Sequence, residues 1–194
     1  MAKPTKLQAD LFGNVPPPAI HKRKKRDTLT ARKVRKDLGA RKVDAALGPI
    51  EPGYEIFGLT MGHFSLVDIL EHVLKSTGPA DVTISTWTAA NADIGFANAL
   101  LSNGSIKSLR FVVDSTFPTR QPAYCAALRE AFGNDAIRTT KNHAKFVLVT
   151  NREWNIVIRT SMNLNENRRM ETFEISDCPA MATFLHSVVD DLFA

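Results

Sequence analysis

The sequence predicts an α/β domain whose mixed β-sheet is flanked by helices, preceded by a basic and largely disordered arm. Two features of the chain predict this class. Between residues 63 and 135, short apolar runs typical of buried strands alternate with segments whose apolar residues recur at helical spacing. Beyond residue 135, a cluster of strand-like runs is followed by one amphipathic segment. This order indicates an α/β sandwich built on a mixed sheet.

The helices of the body are indicated by the spacing of their apolar residues and by their ends. In "HFSLVDILEHVLKS", Leu66, Ile69 and Val73 recur at helical spacing. Ser65 and Asp68 form a capping-box pattern at its start. The other predicted helices are "NADIGFANALLSNG", ended by Gly104, "QPAYCAALREAFG", ended by Gly133, and the closing "AMATFLHSVVDDLF".

The predicted strands are short apolar runs between these helices and after them. "SLRFVVD" is nearly continuous in apolar residues, which is typical of a strand buried on both faces. "ADVTISTW" begins after the turn signal Gly78-Pro79. The remaining predicted strands are "AIRTT", "HAKFVLVT", "NIVIRTS" and "METFEIS".

The composition is that of a soluble globular protein. The 194 residues are 44% hydrophobic and 23% charged, and a chain of this length can bury a real core. No apolar run approaches the roughly 20 residues that span a bilayer, and the N-terminus lacks the apolar segment of a signal peptide. We therefore expect a cytoplasmic protein that does not associate with membranes. His72 and His186 are expected at the surface or a rim rather than as ligands.

Charge is distributed unevenly between two predicted domains. Residues 1–50 carry 13 Lys and Arg against 4 Asp and Glu, whereas residues 51–194 carry 12 against 16. The first segment therefore has a net charge of +9 and the second of −4. Because Gly48-Pro49 and Pro52-Gly53 interrupt the chain, we place the boundary near residue 50, between a flexible arm and a folded body. A basic arm is the usual electrostatic feature of nucleic-acid binding, and a solubilising tail is the alternative.

The segment from 141 to 175 carries polar groups at alternate positions where a core would carry apolar ones. His143 and Lys145 share one face of the predicted strand "HAKFVLVT", and Ser161 and Asn163 repeat that spacing. Glu171 follows. An imidazole, an ammonium, a hydroxyl and a carboxamide together make a receptor for phosphate with one titratable nucleophile. No carboxylate cluster or Cys/His spacing in the sequence suggests a metal.

These residues resemble the motifs of the phospholipase D superfamily, H-x-K-x4-D followed by G-S-x-N and a later Glu. His143-Ala144-Lys145 matches H-x-K, Thr160-Ser161-Met162-Asn163 matches G-S-x-N with Thr in the Gly position, and Glu171 stands where the later acid belongs. The resemblance covers residues 55–194 and implies a phospholipase D-like sheet. Thr150 occupies the position of the family Asp, and this departure places activity in question.

The resemblance implies a role for each matched residue. His143 attacks phosphorus and forms a phosphohistidine, while Lys145 and Asn163 hold the non-bridging oxygens. Ser161 donates a further hydrogen bond, and Glu171 orients an imidazole by accepting its other ring proton. No metal and no cofactor is implied. The family site uses two H-x-K elements and this chain has one, so we expect a homodimer in which each subunit supplies one His143.

Two further groups of residues predict partners. The basic residues expected to contact nucleic acid are Lys22, Arg23, Lys24, Lys25, Arg26, Arg32, Lys33, Arg35 and Lys36. Near the N-terminus, "QADLF" resembles the pentapeptide by which bacterial proteins dock on the sliding clamp. In that interpretation Leu11 and Phe12 fill an apolar pocket and Gln8 supplies a hydrogen bond. The alternative is a small patch that packs back on the body.

The sequence therefore predicts a metal-independent nuclease, a phosphodiesterase of the phospholipase D type. The alternative is a phospholipase D-like DNA-binding protein that has lost catalysis, which the Thr150 departure favours. Trp87, at the end of a predicted strand, either stacks on a base or belongs to interfacial core. The sequence does not distinguish DNA from RNA, single strands from double strands, or the pathway served.

Overall fold

The computed structural model describes residues 43–60, 62–165 and 169–194. Its strands are β1 Glu55–Thr60, β2 Ala80–Thr86, β3 Ile106–Asp114, β4 Ile137–Thr140, β5 Phe146–Thr150, β6 Asn155–Thr160 and β7 Glu171–Asp177. Its helices are α1 Val43–Leu47, α2 Leu66–Thr77, α3 Asn91–Ser102, α4 Phe117–Arg120, α5 Pro122–Phe132 and α6 Pro179–Phe193. None of the helices in these ranges is both long enough and apolar enough to cross a membrane.

The seven strands form one mixed sheet in the order β1-β7-β6-β5-β2-β3-β4. β2, β3 and β4 run parallel to one another, because a helical connection returns the chain to the same edge between successive strands. β5 runs antiparallel to β2, and β6, β7 and β1 continue the antiparallel pairing. The predicted fold class, an α/β domain with a mixed sheet flanked by helices, is confirmed.

Apolar side chains fill both faces of the central strands. On β5, Val147 and Val149 join the larger core, whereas Leu148 between them points to the opposite face. There Leu148 packs with Val157 of β6 and Ala182 of α6. The nearly continuous apolar runs noted in the sequence are therefore explained by burial on both sides of the sheet.

Helix α2 begins at the predicted capping box. The Ser65 hydroxyl accepts a hydrogen bond from the Asp68 backbone N–H at 3.3 Å, and the Asp68 carboxylate accepts from the Ser65 N–H at 2.6 Å. The surface position expected for His72 on this helix is wrong, because its side chain is buried. Its ring nitrogens lie 2.6 Å from Asp44 Oδ1 and 2.7 Å from the Gly48 carbonyl.

The last residues assigned to the arm pack against the body. Val43, Leu47 and Ile50 are buried in the larger core. Asp44, between them, makes the contact to His72 of α2. The Gly48-Pro49 pair follows the end of α1, and the residues of α1 itself already contribute apolar side chains to the core.

Strand β1 was not recognised in the sequence. Its inward side carries few large apolar groups, and Gly58 there lies beneath the Phe173 ring of β7, its cross-strand partner. On the other side, Phe57 and Leu59 are exposed, at 63% and 55%. The outward side of β1 therefore carries large apolar residues and the inward side carries few, the reverse of an ordinary edge strand. This reversal explains why the alternation of apolar and polar residues did not reveal the strand.

Candidate active site

His143 and Lys145 lie in the extended segment immediately before β5. The strand begins at Phe146, three residues later than predicted, so the expectation that both side chains project from a strand is wrong. The reason is local, because the Asn142 side chain forms a hydrogen bond with a backbone group of this segment. Asn142 Oδ1 accepts a hydrogen bond from the Ala144 N–H at 2.9 Å.

Asn142 fixes this segment to the middle of the sheet. The side chain is buried, and its Nδ2 donates to Ser85 Oγ at 3.0 Å, to the Thr86 carbonyl at 3.2 Å and to the Val112 carbonyl at 3.0 Å. Its backbone N–H donates to Asp114 Oδ2 at 3.1 Å. These bonds join the residue before His143 to β2 and β3, and they hold the start of the histidine segment at the carboxyl end of both parallel strands.

Lys145 lies beside the imidazole of His143. Its Nζ donates to the His143 carbonyl at 2.7 Å and lies 3.3 Å from His143 Nδ1. Burial lowers the pKa of the Lys145 ammonium below its usual value of 10.5, and the Glu171 carboxylate opposes that shift without cancelling it. His143 itself is exposed. The pair thus presents a reachable imidazole next to a partly desolvated cation.

Ser161 and Glu171 contact each other where β6 ends and β7 begins. The Ser161 hydroxyl donates to Glu171 Oε2 and accepts a hydrogen bond from the Thr172 N–H at 2.9 Å. Glu171 also acts electrostatically on Lys145, which couples the serine and the glutamate to the lysine. The role implied for Glu171, accepting an imidazole proton, stays a prediction.

Asn163 is held by backbone and side-chain groups at the end of β2. Its Oδ1 accepts from the Trp87 N–H at 3.2 Å and from the Thr86 hydroxyl at 3.4 Å. The Trp87 ring in turn meets the His143 ring edge-on, with centroids 5.8 Å apart. Because the amide oxygen is held in this way, the Asn163 NH₂ group is the part that can serve a bound anion.

The structure therefore joins the five matched residues through short contacts. Lys145 contacts His143 directly and Glu171 electrostatically, Ser161 contacts Glu171, and Asn163 reaches His143 through Trp87. Within the described ranges, no group of three or more His, Cys, Asp and Glu residues is placed to hold a metal ion. The arrangement combines an exposed imidazole, an ammonium, a carboxylate and neutral donors.

Two residues that border this cluster were missed by sequence reasoning. Asn142 supports the histidine segment from within the sheet, as described above. Arg120, at the end of α4, stacks its guanidinium on the Trp87 ring with its carbon 3.7 Å from the ring centroid. Neither residue is part of a local pattern. The only available signal was that Asn142 directly precedes the H-x-K match.

Thr150 lies away from the histidine end of β5. It is the last residue of that strand, and its hydroxyl is 3.4 Å from His186 Nε2 of α6. His186 also lies 3.3 Å from an Arg110 amino group and is half-buried. Burial, with Arg110 nearby, lowers the pKa of His186 below its usual value. The Thr150 departure therefore alters the contact between sheet and helix and removes no group from the cluster around His143.

The residues expected to bind nucleic acid and the sliding clamp lie outside the described residues. These are Lys22, Arg23, Lys24, Lys25, Arg26, Arg32, Lys33, Arg35, Lys36, Gln8, Leu11 and Phe12. Both expectations stay predictions of the sequence.

Comparison with known proteins identifies a structural likeness and no sequence relative. No protein-family model and no curated protein matches this chain. A chain from the crystal structure of polyphosphate kinase from Porphyromonas gingivalis matches with a TM-score of 0.52 and 15% sequence identity, over 71% of this chain and 26% of the kinase chain. This chain thus spans about a quarter of the kinase's length. At that identity the likeness concerns the fold alone.

Proposed function

We propose that this protein is a metal-independent phosphodiesterase that cleaves nucleic acid through a covalent phosphohistidine at His143. The observation that carries the proposal is the exposed His143 imidazole, 3.3 Å from Lys145 in a cluster that also contains Ser161, Asn163 and Glu171. The net charge of +9 on residues 1–50 favours a nucleic acid over a lipid as the substrate. The resemblance of the motifs to the phospholipase D superfamily and the fold likeness to a polyphosphate kinase both favour chemistry at phosphorus.

Attack by Nε2 of His143 requires the ring proton to move from Nε2 to Nδ1, because Lys145 contacts Nδ1. An ammonium can only donate, so its contact makes His143 Nδ1 an acceptor and leaves the ring proton on Nε2. A bound phosphate gives Lys145 an anionic partner and draws it away from Nδ1. The proton can then reside on Nδ1, and the Nε2 lone pair forms the bond to phosphorus as the leaving oxygen departs. Lys145 and Asn163 then offset the charge that develops on the non-bridging oxygens.

The leaving oxygen needs a proton, and a second imidazole in its charged form is the suitable donor. After that transfer, the second imidazole accepts a proton from water, which attacks phosphorus and breaks the bond to His143. His72 and His186 have their partners elsewhere in the fold. We therefore propose that the second imidazole is His143 of another copy, in a homodimer with a shared site.

The alternative, a DNA-binding protein without catalysis, has one observation in its favour. Thr150 replaces the acid of the superfamily motif. Its hydroxyl contacts His186 at the opposite end of β5 from the histidine cluster. Since this position is remote from His143, we favour the enzyme.

The test is cleavage of single- and double-stranded DNA and of RNA in EDTA, comparing wild type with His143→Asn. We expect cleavage that EDTA does not affect and that falls by about 10³-fold or more in the variant, because the nucleophile is lost. Alkaline quenching of a reaction on substrate labelled at phosphorus should retain label on wild type and none on His143→Asn.

His63→Asn is the matched control, since His63 is exposed and lies in the turn before α2. It should cleave at the wild-type rate. Binding without cleavage in wild type would favour the DNA-binding alternative, and equal cleavage by wild type and His143→Asn would reject the proposed nucleophile.

A further inference from the structure

Arg120 presents a positively charged side chain beside the candidate site. Its Nη2 donates to the Trp87 carbonyl at 3.1 Å, its Nε donates to Thr116 Oγ1 at 2.8 Å, and its guanidinium covers one face of the Trp87 ring at 3.7 Å. The side chain is exposed even so. Three contacts thus fix the direction of the guanidinium and leave part of its edge in solvent.

The charge of Arg120 is not matched by an ion pair among the described residues. The neighbouring acid is Asp114, which accepts hydrogen bonds from the Thr116 N–H at 2.9 Å, from the Thr116 hydroxyl and from the Asn142 N–H at 3.1 Å. Burial raises the pKa of Asp114, but these hydrogen bonds outweigh it and hold the pKa below its usual value, with a smaller contribution from Arg120. The carboxylate thus orients Thr116, which supports Arg120.

Other arginines of the fold are used differently. Arg110 forms an ion pair with Asp190 at 2.6 Å, and Arg159 forms one with Glu174. Their charges are therefore offset by acids on neighbouring elements. Arg120 has a fixed direction and, although Asp114 offsets part of its charge electrostatically, it forms no ion pair among the described residues. This combination suits an anion from outside the chain.

Trp87 places this cation next to the histidine cluster. One side of the indole carries the guanidinium at 3.7 Å, and the same ring meets the His143 imidazole at 5.8 Å between centroids. The two positively charged groups are therefore linked through the two rings, Arg120 contacting Trp87 and Lys145 contacting His143. A substrate with a single phosphate at His143 leaves Arg120 without a partner.

We infer that Arg120 is a second anion subsite, which takes the phosphate next to the one attacked. The preferred substrate is then a chain of successive phosphates, such as a nucleic-acid strand, rather than an isolated phosphodiester. This inference rests on the proposed function of the His143 site. A guanidinium suits the subsite because its fork donates two parallel hydrogen bonds to one phosphate. Trp87 acts as its support, since the guanidinium already covers one of the two faces on which a base would stack.

Rates measured on two substrates distinguish an effect at this subsite from an effect at the reacting centre. Bis(p-nitrophenyl) phosphate carries one phosphate, and an oligothymidylate carries several. For Arg120→Ala we expect kcat/KM on the oligothymidylate to fall at least about tenfold, mainly through KM, because a hydrogen-bonded charge pair is lost. Hydrolysis of the single diester should stay within twofold of wild type. Arg120→Lys should lie between the two on the oligothymidylate.

Arg152→Ala is the control, because Arg152 is an exposed residue of the turn between β5 and β6. It should match wild type on both substrates. An equal loss on both substrates for Arg120→Ala would show that the residue acts on the His143 centre, and an unchanged oligothymidylate rate would remove it from the site. Either result overturns the inference.

A binding measurement keeps the subsite testable apart from catalysis. The affinity of a fluorescent oligothymidylate for His143→Asn and for His143→Asn with Arg120→Ala is measured over a range of salt concentrations. Loss of one phosphate contact should reduce the slope of log affinity against log salt by about 0.7, the value for single strands. Equal slopes would refute the subsite. If wild type cleaves neither substrate, the proposed function fails, and the slopes still decide the subsite.

Discussion

At the scale of single residues, the candidate site depends on side chains that form hydrogen bonds with the backbone of neighbouring segments. The Asn142 side-chain amide forms hydrogen bonds with β2, with β3 and with its own segment. The side-chain oxygen of Asn163 accepts a hydrogen bond from the Trp87 N–H. The sequence could identify the matched residues as one group, because H-x-K and S-x-N keep local spacings, and their catalytic roles stay predictions. It could not predict Asn142 or Arg120, because each is placed here by a distant partner. Asp114 is 28 residues from Asn142, and Trp87 is 33 residues from Arg120.

The pKa of Lys145 gives a prediction about pH. The ammonium form holds the phosphate oxygens, and burial favours its loss of a proton below the usual value of 10.5. Activity should therefore fall as pH rises, with a midpoint below 10.5, measured as hydrolysis of bis(p-nitrophenyl) phosphate against pH. Lys145→Arg should lack this alkaline decline, since a guanidinium keeps its proton.

Lys107→Gln provides the control, because Lys107 is exposed on β3 and should leave the pH profile of wild type unchanged. A midpoint at or above 10.5 in wild type, or the same decline in Lys145→Arg, would mean that Lys145 does not set the alkaline limit.

At the scale of elements, the helices were predictable and the ends of the strands were not. α2 is defined by apolar spacing and a capping box, both of which are local. Polar and apolar residues alternate around His143 as they would in a strand. However, the Asn142 side chain accepts a hydrogen bond from the backbone of this segment, and β5 starts at Phe146. β1 was missed because its place in the sheet depends on pairing with β7, more than 100 residues later in the chain.

Gly58 tests how closely β1 packs on β7. A Cβ at this position would lie 2.2 Å from Phe173 Cζ. The ring has little freedom to move, since it is buried and meets Phe64 edge-on at 5.8 Å. Gly58→Ala should therefore lower the free energy of unfolding by about 1–3 kcal/mol, measured by chemical denaturation.

Gly95→Ala is the matched control for this substitution. Gly95 lies inside α3 with nothing within 4 Å of the added Cβ, so alanine should stabilise the protein by about 0.5–1 kcal/mol. If Gly58→Ala behaved like Gly95→Ala, the close contact between β1 and Phe173 would not exist in solution.

At the scale of the whole molecule, the order of elements in the sequence was enough to predict the fold class. β2, β3 and β4 form the parallel part of the sheet. β5, β6 and β7, together with the unpredicted β1, form the antiparallel part. The sequence could not show which surface is left uncovered. In the described residues, the exposed large hydrophobic side chains are Phe57, Leu59 and Met170. All three belong to β1 or to the residue before β7, so they lie at one edge of the sheet.

This edge is the surface we expect a second copy to cover. Phe57 lines a groove of about 280 Å³ together with Ser161, and Met170 directly precedes Glu171, so the apolar edge adjoins the site that two subunits are proposed to share. Phe57→Ser with Leu59→Ser should convert the dimer to a monomer in light scattering and abolish cleavage, because the second imidazole is lost.

Arg152→Ser, in an exposed turn, should leave both mass and activity unchanged. A wild-type protein that is monomeric and active would defeat the shared site. A double variant that stays dimeric would place the subunit contact elsewhere.

The contact between Asp44 and His72 has a practical consequence for anyone shortening the chain. A fragment starting at residue 51, the boundary that the composition suggests, would lack the core residues Val43, Leu47 and Ile50. It would also lack Asp44 and Gly48, the two hydrogen-bond partners of the His72 imidazole. Such a fragment would expose apolar surface and aggregate for reasons unrelated to the site. A shortened chain should therefore retain Val43 and the residues that follow it.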